Sequence, residues 1–284
     1  MITRRDFLRD TALVTASLAL PRAVFAANKQ PVGLQLYTVR QLAEKDLPNT
    51  LGEIHSIGYE EVELYWNVYS HPAPELKRMI SDAGLKAPSG HFDYEGLESK
   101  LDYAKELGLQ YVVCPMLPEK MWHSGDDFKR AADQFNKWGE QVQKLGMTFG
   151  FHNHNYEFQK FGNQTGFDIL MKNTDPKLVK LEMDCYWITQ SGNDPLKMFD
   201  RLGSRIRMLH LKDRKRGFAP SQMLNKQAEH FTEVGTGTVD WKAIIARAKA
   251  NAVDHYFVEQ DETQRPVLES IRISYNNAAR LLNA

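Results

Sequence analysis

The sequence has little cysteine and no excess of either charge. Only Cys114 and Cys185 occur in 284 residues, which excludes a disulfide-stapled scaffold and a structural zinc site built from several thiolates. Both are predicted near strand ends, where two apolar thiols are expected and a single disulfide is the alternative. The 36 basic residues balance 36 acidic ones. No cationic surface is indicated, and we therefore expect no nucleic acid partner.

Apolar runs long enough to cross a membrane are missing as well. Arg4 and Arg5, an apolar run over residues 12–20 and small residues at 24–26 form the layout of a twin-arginine secretory signal that is too short to span a bilayer. An amphipathic first helix is the alternative. We expect the twin-arginine export machinery as a partner and a periplasmic or otherwise exported, soluble protein without a stable membrane anchor. Cleavage after residue 26 leaves residues 27–284, close to the roughly 250 residues of one barrel domain.

Helical and strand patterns alternate along residues 27–284. Four amphipathic segments end at a glycine that an apolar run follows at once: Gly58, Gly84, Gly108 and Gly146. Glycine takes the left-handed conformation that ends a helix, and so short a link indicates a tight turn into a strand. We place the strands at 32–37, 60–65, 85–91, 110–114, 147–152, 178–184, 205–211 and 254–259, and the helices at 46–57, 74–83, 97–107, 126–145, 167–172, 194–202, 240–250 and 266–282.

Eight strands that alternate with eight helices predict an α/β fold with a parallel sheet, because parallel strands need crossover helices. Eight such units in about 250 residues predict a single (β/α)8 TIM barrel. One connection, residues 212–239, is long enough that a functional role is expected.

Four predicted strands end in residue types that bind metal ions: His152, Asp184, His210 and Glu259. Strand alternation predicts that His152, with Gly150 and His154, faces the barrel interior. The active site of such a barrel lies at the C-terminal strand ends, and neighbouring strands are about 4.8 Å apart, so the four side chains can converge on one ion. Two imidazoles and two carboxylates suit Mn, Co, Zn or Fe better than Ca.

The order of these strand-end residues along the chain resembles that in the xylose isomerase-like TIM barrels, also called the sugar phosphate isomerase/epimerase family. The matching segments are 33–37, 152–154, 184–187, 210–213, 258–261 and the loop 234–241. The resemblance covers essentially all of residues 27–284 and implies one divalent metal ion. The family's epimerases use Glu, Asp, His and Glu as ligands, and their two glutamates move the proton. Here His152 stands at the first glutamate, so symmetric proton transfer by two glutamates is not implied.

The resemblance implies a sugar isomerase or epimerase that works through a metal-stabilised enediolate on a small-molecule sugar substrate. Glu259 or His154 would take the proton, and Glu157 would supply the missing carboxylate. A metal-dependent lyase or hydrolase of a keto-sugar or keto-glycoside is the alternative, because the same intermediate serves β-elimination and phosphorylated sugars are mostly cytoplasmic. A metal-dependent phosphodiesterase is disfavoured by the balanced charge. The alternative of another class is a non-catalytic periplasmic sugar-binding protein.

Further residues are candidates for substrate binding: Glu63, His91, Trp187, Lys212 and Asp213. Glu63 is inward-facing by its strand parity, and a glutamate inside a barrel is costly unless it is paired. A structural role is the alternative for each of them. Trp66, Trp122 and Trp187 could stack on a sugar ring, with core packing as the default. The sequence leaves the sugar, the metal and the oligomeric state open, with a homo-oligomer among the options.

Overall fold

The computed structural model describes residues 29–224 and 228–284. The predicted signal peptide, residues 1–26, lies outside the described residues. Within the described ranges, no helix combines the length and the apolar character needed to cross a membrane.

Eight parallel strands form one closed barrel in which each strand pairs with its neighbours in the chain, and the last strand pairs with the first. The strands are β1 Gly33–Gln35, β2 Glu61–Leu64, β3 Lys86–His91, β4 Tyr111–Cys114, β5 Thr148–His152, β6 Val179–Asp184, β7 Ile206–Leu211 and β8 His255–Val258. The predicted (β/α)8 TIM barrel is therefore confirmed.

A helix follows each strand of the barrel. These are α1 Leu47–Ile57, α2 Ala73–Asp82, α3 Leu101–Leu107, α4 Gly125–Lys144, α5 Gly166–Asn173, α6 Pro195–Leu202, α7 Trp241–Ala250 and α8 Val267–Leu282. Side chains of Asp46, Ser124, Thr165, Asp194 and Asp240 accept hydrogen bonds from the first turns of their helices, which satisfies backbone donors that the helix leaves free.

The observed bounds of these strands and helices differ from the predicted ones by at most two residues, except at the start of one helix. β1 ends at Gln35 because Leu36–Val39 forms a 3-10 turn. The Gln35 side chain accepts a hydrogen bond from the backbone N–H of Tyr37 in that turn. The helix predicted to begin at residue 97 begins as a 3-10 turn and becomes an α-helix at Leu101. The four glycines that precede strands have positive φ angles, from 79° at Gly84 to 121° at Gly58, as predicted.

Side chains inside the barrel form layers of different polarity. Tyr111, Val113, Met208 and Phe257 form an apolar layer in the lower half. Gly33 makes room for this layer, because a Cβ there would lie 2.3 Å from the Phe257 ring. Above it, towards the C-terminal strand ends, the inward side chains are polar: Gln35, Glu63, Ser89, His91, His152, Glu182, Asp184 and His210.

The long connection after β7 is ordered by one carboxylate. Asp213 accepts hydrogen bonds from the backbone N–H groups of Gly235, Gly237 and Val239 and from the indole N–H of Trp241. Asp213–Arg214 also pairs with Phe231–Thr232 as a short antiparallel ladder. The two cysteines are buried free thiols, as predicted.

Candidate active site and metal centre

The four predicted ligands meet at the C-terminal end of the barrel. Strand register pairs Asp184 on β6 with His210 on β7, and the ends of β5 and β8 flank this pair. One nitrogen or oxygen atom each of His152, Asp184, His210 and Glu259 lies within 4.8 Å of the others. His210 Nδ1 is 2.9 Å from Glu259 Oε2, and His152 Nε2 and His210 Nδ1 are both 3.9 Å from Asp184 Oδ2. All four side chains are buried.

This donor set fits a divalent metal ion. Asp184 Oδ2 is buried without a hydrogen bond, although two imidazole nitrogens and the Lys212 ammonium surround it at 3.7–3.9 Å. An unsatisfied buried carboxylate oxygen is costly, and an ion bound between it and the imidazoles would remove that cost. Two nitrogens and two oxygens form the mixed set that transition metals favour.

A second polar layer lies directly beneath this cluster. Its carboxylates contact the imidazole nitrogens that point away from Asp184. Glu182 Oε2 lies 3.2 Å from His152 Nδ1 and 2.7 Å from His91 Nε2. Glu63 Oε2 lies 2.7 Å from His210 Nε2. The upper nitrogens, His152 Nε2 and His210 Nδ1, are therefore the ones that face Asp184. A metal-binding histidine is usually oriented by a carboxylate that contacts the ring nitrogen not used for the metal.

Burial and neighbouring charges set the protonation of the cluster. Burial and the charge of His210 lower the pKa of His152 to about 3, so His152 is neutral at pH 7, as a metal-binding imidazole must be. The neighbouring carboxylates outweigh burial and hold the pKa of His210 well above its usual range, so a metal ion would have to displace a proton from His210. Burial raises the pKa of Asp184 to about 7. Burial would also raise the pKa of Glu259, but the Lys212 ammonium and His210 hold it well below its usual range.

Lys212 is enclosed by carboxylates and aromatic rings. Its ammonium lies 2.7 Å from Asp261 Oδ1 and 3.0 Å from Glu259 Oε2, and 4.9 Å from the centre of the Trp187 ring. These neighbours stabilise a buried ammonium, and the Lys212 side chain is only 1% exposed. The lysine thus neutralises part of the negative charge at the site.

A small cavity of about 30 Å³ opens over the cluster. His152, His154, Lys212 and Glu259 line it from the barrel side, and Tyr37 and Trp66 line it from the loops after β1 and β2. The His154 ring stacks against Trp187 and Tyr156. His154 and Glu259 are thus the predicted proton-transfer groups that border this cavity, and their catalytic roles stay predictions.

The other predicted site residues lie in different surroundings. Glu63 and His91 are in the layer beneath the cluster, although His91 also lines the cavity. Trp187 is fully buried beside Lys212. The carboxylate of Glu157 accepts hydrogen bonds from the backbone N–H of His154, and Asp213 orders its loop. None of these contacts tests a role in binding substrate or moving protons.

Two acidic residues of the site were not among the sequence candidates. Glu182 is brought to His152 by the register of β5 and β6, and Asp261 follows β8 and binds Lys212. A signal existed for both, because each stands two residues from a predicted ligand: Glu182 shares the inward face of Asp184, and Asp261 follows Glu259.

Comparison with known proteins agrees with the fold and the site. A family model described as a xylose isomerase-like TIM barrel matches residues 51–276. The chain belongs to this family. Among its relatives is the inosose dehydratase of Lacticaseibacillus casei, 25% identical, with 77% of this chain and 83% of that protein covered.

Solved structures give the same result. A sugar phosphate isomerase/epimerase from Parabacteroides distasonis superimposes with a TM-score of 0.74 at 26% identity, over 91% of this chain and 97% of that one. The IOLI protein, solved with a bound zinc atom, shares the fold at 15% identity and a TM-score of 0.68, over 89% of this chain and 98% of that one. The family member described here is thus a sugar-processing enzyme with a buried centre suited to a divalent metal ion.

Proposed function

We propose that this enzyme removes the proton next to the carbonyl of an unphosphorylated sugar and returns it in an isomerisation or epimerisation. The observation that carries this proposal is the pairing of a metal-type cluster with two proton-accepting groups at one cavity. Glu259 and His154 both line that cavity, and the lining residues His152 and Glu259 belong to the cluster with Asp184 and His210.

A divalent ion held by His152, Asp184, His210 and Glu259 would supply a Lewis acid that polarises the substrate carbonyl and stabilises the enediolate. The side chains of the protein would accept the proton and exclude water. Glu259 stays ionised beside Lys212 and can accept a proton. The buried walls exclude water, because each of these side chains is at most 7% exposed.

β-Elimination is the second candidate, and a specific observation favours it. Two unlike bases, Glu259 and His154, border the cavity in place of two equivalent glutamates, and a base on one face is sufficient for elimination. The dehydratase activity named for the Lacticaseibacillus casei relative is also an elimination. The enediolate is common to both reactions.

One experiment separates the two candidates. The enzyme, loaded with Mn, Co, Zn or Fe, is incubated in D₂O with inosose, a panel of free aldoses and ketoses, and the disaccharides cellobiose and maltose. Isomerisation or epimerisation gives a product of the same composition that has gained deuterium. Elimination gives a product that has lost water and absorbs in the ultraviolet as an unsaturated ketone. No deuterium exchange into any sugar with any metal would contradict the proposal.

We also propose that the protein is exported, on the basis of its twin-arginine pattern. Replacing Arg4 and Arg5 by lysine should keep the protein in the cytoplasm with its N-terminal segment uncleaved. Cell fractionation and N-terminal sequencing of the wild type and the variant measure this. A wild-type protein that stays cytoplasmic with residues 1–26 intact would contradict it.

A further inference from the structure

Trp66 is unusual in being a large apolar side chain exposed at the mouth of the barrel. It is 38% exposed, and the only other exposed large apolar side chain among the described residues is Met223. The indole is packed on one side by Tyr37 and Tyr65, whose ring centres lie 5.5 and 5.6 Å away. A fixed aromatic ring with an open surface beside an active site is a feature of ligand binding.

Trp66 borders two cavities. One is the 30 Å³ cavity over the metal-type cluster. The other, which we name the Trp66 cleft, has a volume of about 430 Å³ and lies between the loops that follow β2 and β3. Stacked rings of Tyr69 and Phe92, 4.6 Å apart, form part of its wall. The larger space is thus next to the reaction site, with Trp66 shared between them.

The lining of the Trp66 cleft indicates the chemistry of its ligand. Its polar side chains are Asn67, Ser70, Asp93, Glu95, Ser99 and Lys100. Two acids, of which Glu95 is paired with Lys120, outnumber the single lysine of the lining. A phosphate group would meet no cluster of cations here. Amides, hydroxyls and carboxylates beside an aromatic ring suit a neutral ligand that is rich in hydroxyl groups.

We infer that the Trp66 cleft is a subsite for a second sugar ring, so that the substrate of this enzyme is a disaccharide or larger glycoside whose reacting ring carries the carbonyl. That ring is placed at the cavity over the cluster of His152, Asp184, His210 and Glu259, which must widen from about 30 Å³ to admit it, and the next ring stacks on Trp66. The first of these placements rests on the proposed function. The cleft itself does not, because binding in it requires neither metal nor turnover.

The test is isothermal titration of the metal-loaded wild type and variants with glucose, cellobiose, maltose and glucose 6-phosphate. The wild type should bind at least one disaccharide about tenfold more tightly than glucose, the gain expected from one well-placed aromatic contact. Trp66→Ala should reduce this ratio to about one, and Trp66→Phe should keep most of it. Met223→Ala, which changes the other exposed apolar side chain, should leave the ratio as it is in the wild type.

Several results would overturn the inference. They are equal affinity for glucose and both disaccharides, no binding of any of these sugars, a preference that survives Trp66→Ala, or tightest binding to glucose 6-phosphate. The titrations are repeated with Asp184→Asn, which removes a proposed metal ligand. A Trp66-dependent disaccharide preference that persists in Asp184→Asn would show that the subsite does not need the metal. The same preference in a wild-type protein that holds no metal and reacts with no sugar would refute the proposed function alone and leave the subsite in place.

Discussion

Replacing Glu182 by glutamine tests whether the buried layer beneath the cluster orients the metal-type ligands. Glu182 Oε2 lies 2.7–3.3 Å from nitrogens of His91, His152 and His210, whereas Oε1 is buried without a hydrogen bond. In Glu182→Gln the amide nitrogen can take the Oε1 position and leave an oxygen facing the imidazoles. The shape of the site is then kept, and only the negative charge is lost.

The expected loss follows from that geometry. Hydrogen bonds to charged groups contribute about 1.5–3 kcal/mol and those between neutral groups about 0.5–1.5 kcal/mol, so His152 is held less firmly by the amide. Substitution of such outer partners typically costs roughly 10–100-fold in metal affinity, which is about 1.4–2.8 kcal/mol. We expect this drop for Glu182→Gln, with the number of ions bound per chain unchanged. Competition with a chelator of known affinity measures it.

Glu61→Gln is the matched control. Glu61 is also a buried glutamate of the barrel interior, and its Oε2 lies 2.8 Å from Nδ1 of His255, but this pair is at the opposite end of the barrel. The variant should lose about 1–3 kcal/mol of unfolding free energy and keep wild-type metal affinity. Wild-type affinity in Glu182→Gln would refute the orienting role. A fall in the number of ions bound per chain would show that Glu182 is itself a ligand.

Three other substitutions test separate parts of the structure. Asp184→Asn should abolish metal binding, measured by mass spectrometry of the protein's metal content, and full metal content would contradict the assigned cluster. Burial raises the pKa of Glu157 from 4.5 to about 8, so the folded state binds a proton that the unfolded state has released, and stability falls as pH rises from about 4.5 to about 8. Glu157→Gln should flatten the dependence of the unfolding free energy on pH in that range, as measured by denaturant titrations. A pH dependence parallel to that of the wild type would refute this prediction. Gly33→Ala should lower the unfolding free energy by about 1–3 kcal/mol because its Cβ meets Phe257; Phe257→Leu in the same chain should recover part of the loss, and an unchanged melting temperature for Gly33→Ala would contradict this.

The fold was predictable because local signals agreed with each other. A glycine such as Gly84 ends a helix, and the next strand begins two residues later. The alternation of polar and apolar residues around His152 indicates which face is inward. The bounds that differed depend on contacts between distant segments. The early end of β1 is one case, because the side chain of Gln35 both caps the following turn and binds Glu63 on the neighbouring strand.

The cluster itself was predictable because each ligand stands at a strand end with the correct parity, and strand ends of a barrel meet. Its supporting layer was not, because it depends on the register between strands. Glu182 stands two residues before Asp184 on β6. Its contact with the imidazole becomes evident only from the register, which pairs His152 with Glu182 across β5 and β6. The exposure of Trp66 was missed for a similar reason, since nothing local distinguishes it from a core tryptophan.

The resemblance implies a glutamate where this chain has His152, and the surroundings of the imidazole bear on that difference. The imidazole of His152 reaches Asp184 with one nitrogen and Glu182 with the other, so the missing carboxylate lies one layer deeper and acts through the ring. His152, contacted by Glu182, can hold a metal ion. The Glu182 carboxylate itself is fully buried and does not line the cavity. The cavity is also lined by the Asp261 carboxylate and the His91 imidazole, and the two predicted acceptors there, Glu259 and His154, are unlike each other. Unlike acceptors suit a reaction in which the two proton transfers are chemically different, as in aldose–ketose isomerisation or elimination, better than an epimerisation in which the same transfer is made from either face.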